Sequence, residues 1–533
     1  MDTITLKRNN RGRRSRDRLL PYALCSLLLL FGCASVEVQR TVPSISGGGQ
    51  ISVFLRGPDR TASDITFGIS SVGFASEDGA VLEIANVPLT VKSTAVAGRQ
   101  ILVGEKVLPE GRYKKLLIIV KQATVNRKEG AAGLALPSDG IVEIGIDITV
   151  NRNQNTSLFL NWNPDASVES GYLFSPAIDV KKQTPELSSL LVYITNEDSD
   201  NVSVIHRQTG EVVAVVMVGK KPRGIAVGTS KERQRVYVAN SGSNSVSVID
   251  PTTNRVEVEI PLRFGKEPEG ITTVRIAPDR ELIFVTNYGS NNVSVVDAYT
   301  YQETDRVSVG DGPIAVAADP PFDTIVGSRF LSFGAIAALR DFRKNFSNVY
   351  VANKNSKDVS VIKVNTRGGV EEVIKVPVQW SPIALFVDYP RAKVYVANYT
   401  YDNLSIIDIP ELILGNRAGA VSEMSNVGTS VTGVISDPEF DRLYLLRESS
   451  GETLIVRPFS ETSSGVRTSI APIMGSISVG SQPRALALDP EGRKIYVVNR
   501  GSDSVSVVDK TTRREEKVIP VGRRPYGIAI FPE

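Results

Sequence analysis

The chain has 533 residues, 41% of them hydrophobic and 22% charged, a globular composition that excludes disorder and collagen-like repeats and allows about three domains at roughly 150 residues each. Its formal charge of +3 arises at the N-terminus: residues 1–32 hold seven basic and two acidic side chains, and residues 33–533 hold 54 basic and 56 acidic ones, a net −2. The body thus has no cationic excess to neutralise a phosphate backbone, and no nucleic-acid partner is expected.

In chain order, Lys7, Arg8, Arg11, Arg13, Arg14, Arg16 and Arg18 precede an apolar run from Leu19 to Phe31. A basic segment followed by an apolar stretch too short to span about 30 Å of bilayer reads as an export signal. Its end, Leu30-Phe31-Gly32-Cys33-Ala34-Ser35, resembles the bacterial lipobox. The resemblance implies a lipoprotein signal peptide over 1–32, removed so that Cys33 becomes the lipid anchor, with Ala34 favouring the outer membrane. A plain secretory signal and an uncleaved anchor are the alternatives. Residues 33–50 end in Gly47-Gly48-Gly49 and read as a flexible tether.

Residues 51–180 read as short strands at 51–55, 65–69, 81–84, 115–120, 142–150 and 158–162, separated by turn chemistry such as Pro109-Glu110-Gly111 and Asp139-Gly140. No helical period is sustained, so a β-sandwich is the natural way to bury these half-apolar strands. Three stretches, Ser52-Val53-Phe54-Leu55, Leu108-Pro109-Glu110-Gly111-Arg112-Tyr113 and Phe159-Leu160 through Phe174-Ser175-Pro176, resemble a bacterial lipoprotein β-sandwich family of unassigned function. That likeness implies a fold and no chemistry.

After a linker at 181–190, the chain from 191 to 533 repeats. Seven apolar pentads carry an aromatic residue at their second position, Tyr193, Tyr237, Phe284, Tyr350, Tyr395, Tyr444 and Tyr496, at intervals of 44 to 66 residues, and six end in Asn: Asn196, Asn240, Asn287, Asn353, Asn398 and Asn499. The sixth copy ends in Arg447. A period near 40–50 with four strand-like pieces per unit marks a β-propeller. The last piece, 526–531, is an inner strand with nothing after it, so it must complete the first unit and close the ring. The repeats resemble the YVTN-type β-propeller. The predicted fold is therefore all-β: an N-terminal β-sandwich followed by a seven-bladed β-propeller closed by a C-terminal inner strand.

The recurring asparagines read as structural, each holding a tight connection by side-chain hydrogen bonds to the local backbone. Asp250, Asp297, Asp408 and Asp509 end third strands before turns, and no metal site is read among them. His206 takes the same place in the first unit as a surface residue. The turns leading into inner strands line the mouth of the central channel. There Lys220, Lys221, Arg223, Arg484, Arg523, Arg524 and Tyr526 come from neighbouring units, a cluster suited to a carboxylate, a sulfate or an acidic protein surface, although a charge run is also what a solvated face carries. Residues 320–346 lengthen the third unit. They carry a helical pattern with Leu331, Ala335, Ala338 and Phe342 on one face; it packs on the protein itself, or with Phe330, Leu331 and Phe342 forms a partner helix.

His206 is the single histidine and Cys25 and Cys33 are the two cysteines. His-ligated zinc or copper, a His-based triad and a Cys-x-x-Cys-His haem site cannot be built from them. The expected function is accordingly that of a lipid-anchored, exported binding or scaffold protein of the cell envelope, whose propeller is a platform for a protein or anionic ligand, with no enzymatic activity and no cofactor. The rival readings are a lactonase- or hydrolase-like propeller enzyme and an accessory subunit of an envelope redox or export complex.

Overall fold

The computed structural model describes residues 48–531 except 86–87, 138–139, 153, 184–186, 231, 325–326 and 459–468. The expectations for residues 1–32, for Cys33 and for the tether up to 47 lie outside the described residues. Gly48 and Gly49, read as tether, instead open the first strand, Gly48–Arg56. A Cβ at Gly48 would collide with the Leu108 carbonyl and one at Gly49 with that of Asn151, so glycine lets this strand begin beneath its neighbours.

The first strand pairs antiparallel with Gln100–Pro109 and parallel with Asn155–Asn163, which also pairs with Ala177–Lys182. A second sheet is built on the long strand Gly111–Arg127, flanked by Asp64–Ser76 and Ile141–Val150. The inward faces meet around Phe67, Trp162 and Phe174, with ring centroids 4.9 and 5.1 Å from Phe67. The buried Trp162 Nε1 donates to Ser167 Oγ at 2.9 Å, which removes the cost of burying that N–H. Gln100–Pro109 was not legible as a strand, because Gly104, Glu105 and Lys106 interrupt its apolar alternation.

From Leu191 to Ile530 the described residues form seven four-stranded antiparallel sheets, numbered here as blades one to seven. Blade one joins Leu191–Asn196, Asn201–His206 and Glu211–Met217 to the C-terminal strand Pro525–Ile530. Inner strands Pro222–Val227, Pro268–Ala277, Pro313–Ala318, Pro382–Asp388, Val431–Asp437 and Pro483–Leu488 begin blades two to seven. Each inner strand packs on the next, and that of blade seven on Pro525–Ile530, so the ring is closed by the C-terminal strand and no inner edge stays open. The approach is close enough to demand a small residue two positions after the strand begins: Gly224, Gly270, Ala315, Ala384, Gly433, Ala485 and Gly527. A Cβ at Gly224 would collide with the Glu269 carbonyl and one at Gly527 with that of Arg223.

The asparagines are interior braces. In each of the six, Nδ2 donates to the side chains five and seven residues on, as Asn240 does to Ser245 at 3.1 Å and Ser247 at 2.8 Å. The partners are third-strand side chains, not the local backbone expected from sequence. In blade six Arg447 replaces the asparagine, and its guanidinium meets Glu452, five residues on, at 2.9 Å. The aspartates cap their own turns, as Asp509 does by accepting from Thr511 N at 2.9 Å.

The insertion lies in the fourth blade, between its inner and second strands, because the sequence spacing was measured between second strands whereas a blade begins with its inner one. Its helix, Phe333–Arg343, is capped by Ser332 Oγ, which accepts from Ala335 N. The buried face is not the predicted one. Leu339 and Arg343 are buried, with Ile336 and Leu331 packed against blades four and five. Arg343, which pattern reading assigns to solvent, is the anchor: Nη1 lies 3.5 Å from Asp319 and 2.7 Å from Ser347 Oγ. Phe342 packs on Phe346 with centroids 5.6 Å apart, Phe330 lies under the Arg391 guanidinium at 4.3 Å, and Phe333 is exposed.

The sandwich covers the outer edge strand of blade one. Gln100 donates to the Val212 carbonyl at 3.2 Å and accepts from its N–H at 2.9 Å, while Ser157 Oγ accepts from Val215 N at 3.2 Å. Phe54, Leu102 and Phe159 continue the core of blades one and seven. An edge that would otherwise offer unpaired backbone is thereby occupied.

Candidate functional site

The turn before each inner strand has one construction. The residue preceding the strand, Lys221, Glu267, Gly312, Ser381, Ser430, Gln482 or Arg524, has φ between +49 and +64°. For several of these the N–H is held by the preceding blade: Lys221 N donates to Asp200 Oδ1 at 2.8 Å, Glu267 N to Asn244 Oδ1 at 2.9 Å and Arg524 N to Asp503 Oδ1 at 2.7 Å. Those bonds offset the strain of left-handed non-glycine residues.

This construction divides the predicted cluster. Arg223, Arg484 and Tyr526 follow the first residue of an inner strand and line a cavity of about 500 Å³ at the channel mouth. Lys220, Lys221, Arg523 and Arg524 precede it, are exposed, and do not line the cavity. Lys220 Nζ pairs with Asp200 at 2.7 Å, Arg523 donates to the Asp198 carbonyl at 2.9 Å, and Arg524 lies 3.6 Å from the Asp198 carboxylate. The convergence of all six basic residues on one mouth, expected from sequence, is therefore corrected.

A second ring was missed. In five blades the residue following the end of the second strand also reaches the mouth: Tyr288, Lys354, Tyr399, Glu448 and Arg500 line the cavity, and Glu197, the corresponding residue of blade one, is bonded to Arg500 and Arg223 of that lining. The signal was present, since each of these follows the brace asparagine, or Arg447 in blade six; only the asparagine itself was read.

One side of the mouth is an ionic network. Arg223 donates to Glu197 Oε1 at 2.8 and 3.0 Å and also pairs with Glu269. Arg500 reaches Glu197 Oε2 at 2.5 Å. Tyr526 Oη donates to Glu269 Oε2 at 3.1 Å and accepts from Arg484 Nη2 at 2.8 Å. The Tyr526 ring has three guanidiniums around it, with Arg484 nearest at 4.5 Å, a geometry that adds cation–π attraction. Burial pushes the Glu197 carboxyl up, but hydrogen bonds and charge from Arg500 and Arg223 outweigh it and hold Glu197 below the usual glutamate range. Its stabilising contribution is present above the ordinary value of about 4.5 and is lost as pH falls through the lowered one.

Arg484 is different. Its Nη1 donates to the Thr432 carbonyl at 3.1 Å and its Nη2 to the Tyr526 hydroxyl, and among the described residues it has no carboxylate partner. Across the mouth Tyr399 Oη donates to Glu448 Oε2 at 2.8 Å. That hydrogen bond first, then burial and the Glu448 charge, raise the Tyr399 phenol, while Arg484 opposes the shift.

No family model matches the chain, and no curated protein matches it. Solved structures of propeller type do. Hydrazine synthase of Kuenenia stuttgartiensis is 18% identical, with a TM-score of 0.47 over 61% of this chain and 93% of that one. A candidate 6-phosphogluconolactonase from Bacteroides fragilis is 15% identical, with a TM-score of 0.45 over 65% and 99%. The dihydro-heme d1 dehydrogenase NirN is 11% identical, with a TM-score of 0.41 over 63% and 65%. At these identities the likeness is one of fold. The expectation that the chain is not an enzyme is nonetheless withdrawn: three of the solved structures similar to it carry the names of enzymes, so this fold is no argument against catalysis. A shortage of histidine does not exclude catalysis at a mouth that already holds glutamates, tyrosines and arginines in contact.

Proposed function

We propose that the propeller mouth is a binding site for a small anionic ligand, on an exported protein anchored through lipid at Cys33 in the outer membrane. The observation that carries the binding reading is Arg484, a half-buried guanidinium facing a cavity of about 500 Å³ with donors spent only on neutral oxygens. A cavity of this size suits a small molecule, and a guanidinium recognises a carboxylate by paired hydrogen bonds. The rim cations support a protein partner less well, since Lys220 and Arg524 already face carboxylates. The envelope location is supported by the basic leader and the lipobox-like run before Cys33, and the repeat by its resemblance to YVTN-type propellers.

The mouth is tested by titrating a panel of small organic acids into the full-length chain at two salt concentrations. Arg484→Gln is expected to weaken binding at least tenfold, whereas Lys221→Gln and Arg524→Gln change it less than twofold. Binding that follows the rim residues instead would overturn the site. Chromatography of the recovered ligand tests turnover at the same place, where Glu267 and Glu448 are carboxylates with no cationic partner among the described residues. For the anchor, Cys33→Ser should abolish acyl labelling and move the protein out of the detergent phase; retained labelling refutes it.

A further inference from the structure

We infer that the ligand of this mouth is a singly charged organic acid with an apolar body of aromatic size, as opposed to a polyhydroxylated or multiply charged acid. The inference rests on the reading of the mouth as an anion site and adds the class of molecule.

Charge around the cavity is uneven. On the side of blades seven, one, two and three, Arg223 and Arg500 are matched by Glu197 and Glu269 in direct ion pairs. These charges are spent on each other. Arg484 is the cation of the inner ring left over among the described residues, so the wall offers one positive charge and one planar fork. A phosphate dianion or a dicarboxylate would bring a second charge into a cavity also lined by Glu267 and Glu448, with only Lys354 to offset them, and like charges at such range are unfavourable.

The opposite wall carries an apolar patch of two isoleucines, beside the polar Lys354, Tyr399 and Glu448 that also line the cavity. Blades four and five place Ile314 and Ile383 at the positions that hold Arg223 and Arg484 in blades two and seven, and Tyr288 and Tyr399 stand beside them. Ile383 is buried and Ile314 half-buried, and neither offers a polar atom to the hydroxyls of a sugar acid. A hydroxyl brought against the two isoleucine side chains would lose its water without gaining a partner. An aromatic or branched apolar body would cover the isoleucines while its carboxylate reached Arg484.

The deciding experiment is calorimetric titration of the full-length protein in detergent with indole-3-acetate, phenylacetate, gluconate and inorganic phosphate. Indole-3-acetate and phenylacetate are expected to bind at least tenfold tighter than gluconate or phosphate. Ile383→Thr and, separately, Ile314→Thr should erase most of that preference while leaving gluconate binding within about twofold; an unchanged thermal transition in at least one variant shows that the effect is local. Gluconate or phosphate binding as tightly as indole-3-acetate, in an Arg484-dependent way, would overturn the inference and leave the anion site standing. If no acid of the four binds in an Arg484-dependent way, both readings fall.

Discussion

Deletion of residues 525–533 is expected to abolish the cooperative unfolding transition of the propeller. The strand Pro525–Ile530 is the inner strand of blade one, with Ile528 opposite Ile194, Ala529 opposite Tyr193 and Ile530 opposite Val192. Phe531, 1% exposed, packs edge-on to Tyr193 with centroids 6.1 Å apart. Each fully buried side chain of this size contributes about 1.5–3 kcal/mol. Removing the strand would also strip Leu191–Asn196 of half its ladder, at about 1–3 kcal/mol for each buried group left without a partner. Together these losses rival the roughly 5–15 kcal/mol by which a folded domain is stable. The neighbouring inner strands of blades two and seven would each lose a packing partner, so damage would spread round the ring. The measurement is circular dichroism during a thermal or urea melt, with light scattering to detect association through the exposed edge. A truncated chain that melts as the parent does would show that closure does not depend on this strand.

Replacing Arg223 by Met should lower stability by about 3–5 kcal/mol at neutral pH, the second-largest effect expected from a small change. Glu197 and Glu269 have side chains 5% and 4% exposed, and Arg223 is the group that touches both. Its loss leaves Glu269, among the described residues, with the Tyr526 hydroxyl alone and Glu197 with Arg500 alone as side-chain partners. The destabilisation should be largest above about pH 4.5, the ordinary value of a glutamate, and should narrow below it as the carboxylates left without Arg223 take up protons. A second change, Glu269→Gln in the Arg223→Met background, should recover more than half of the loss by removing the buried charge. Urea midpoints of the parent, the single and the double variant at pH 7 and pH 4 form the check. A single variant as stable as the parent at pH 7 would mean that the pair is solvated and contributes little. Because Arg223 is held this firmly from both sides, it frames the cavity, and the guanidinium left to meet a ligand is Arg484.

What the chain alone determined is the part of the protein that recurs. The pentads around Tyr193 through Tyr496, the prolines that open most inner strands and the unpaired piece at 526–531 carried the propeller and its closure, because a repeated unit must bury the same positions in every copy and so writes its pattern seven times. The sandwich was legible for the same physical reason, alternation on half-buried strands, and strands were missed where charge broke the alternation, at Gln100–Pro109, and where they are short or largely exposed, at Leu89–Lys92, Gly130–Gly133 and Ala177–Lys182. The site was legible in part: Arg223, Arg484 and Tyr526 were found because they follow a turn signal. Tertiary structure decided the rest. Whether a basic residue at a turn faces the cavity or the solvent depends on its place relative to the left-handed residue: Lys220, Lys221, Arg523 and Arg524 stand at or just before it and stay on the rim, whereas Arg223 and Arg484 stand two positions after it and line the cavity. Glu197, Lys354, Tyr399, Glu448 and Arg500 join the mouth only when second strands are stacked beside inner ones, and Arg343 becomes a core residue only because Asp319 waits beneath it. One-dimensional pattern reports burial averaged over a period. The balance of charge at a site is set by which side chains from different blades come within a few ångströms of one another, and that is a property of the closed ring.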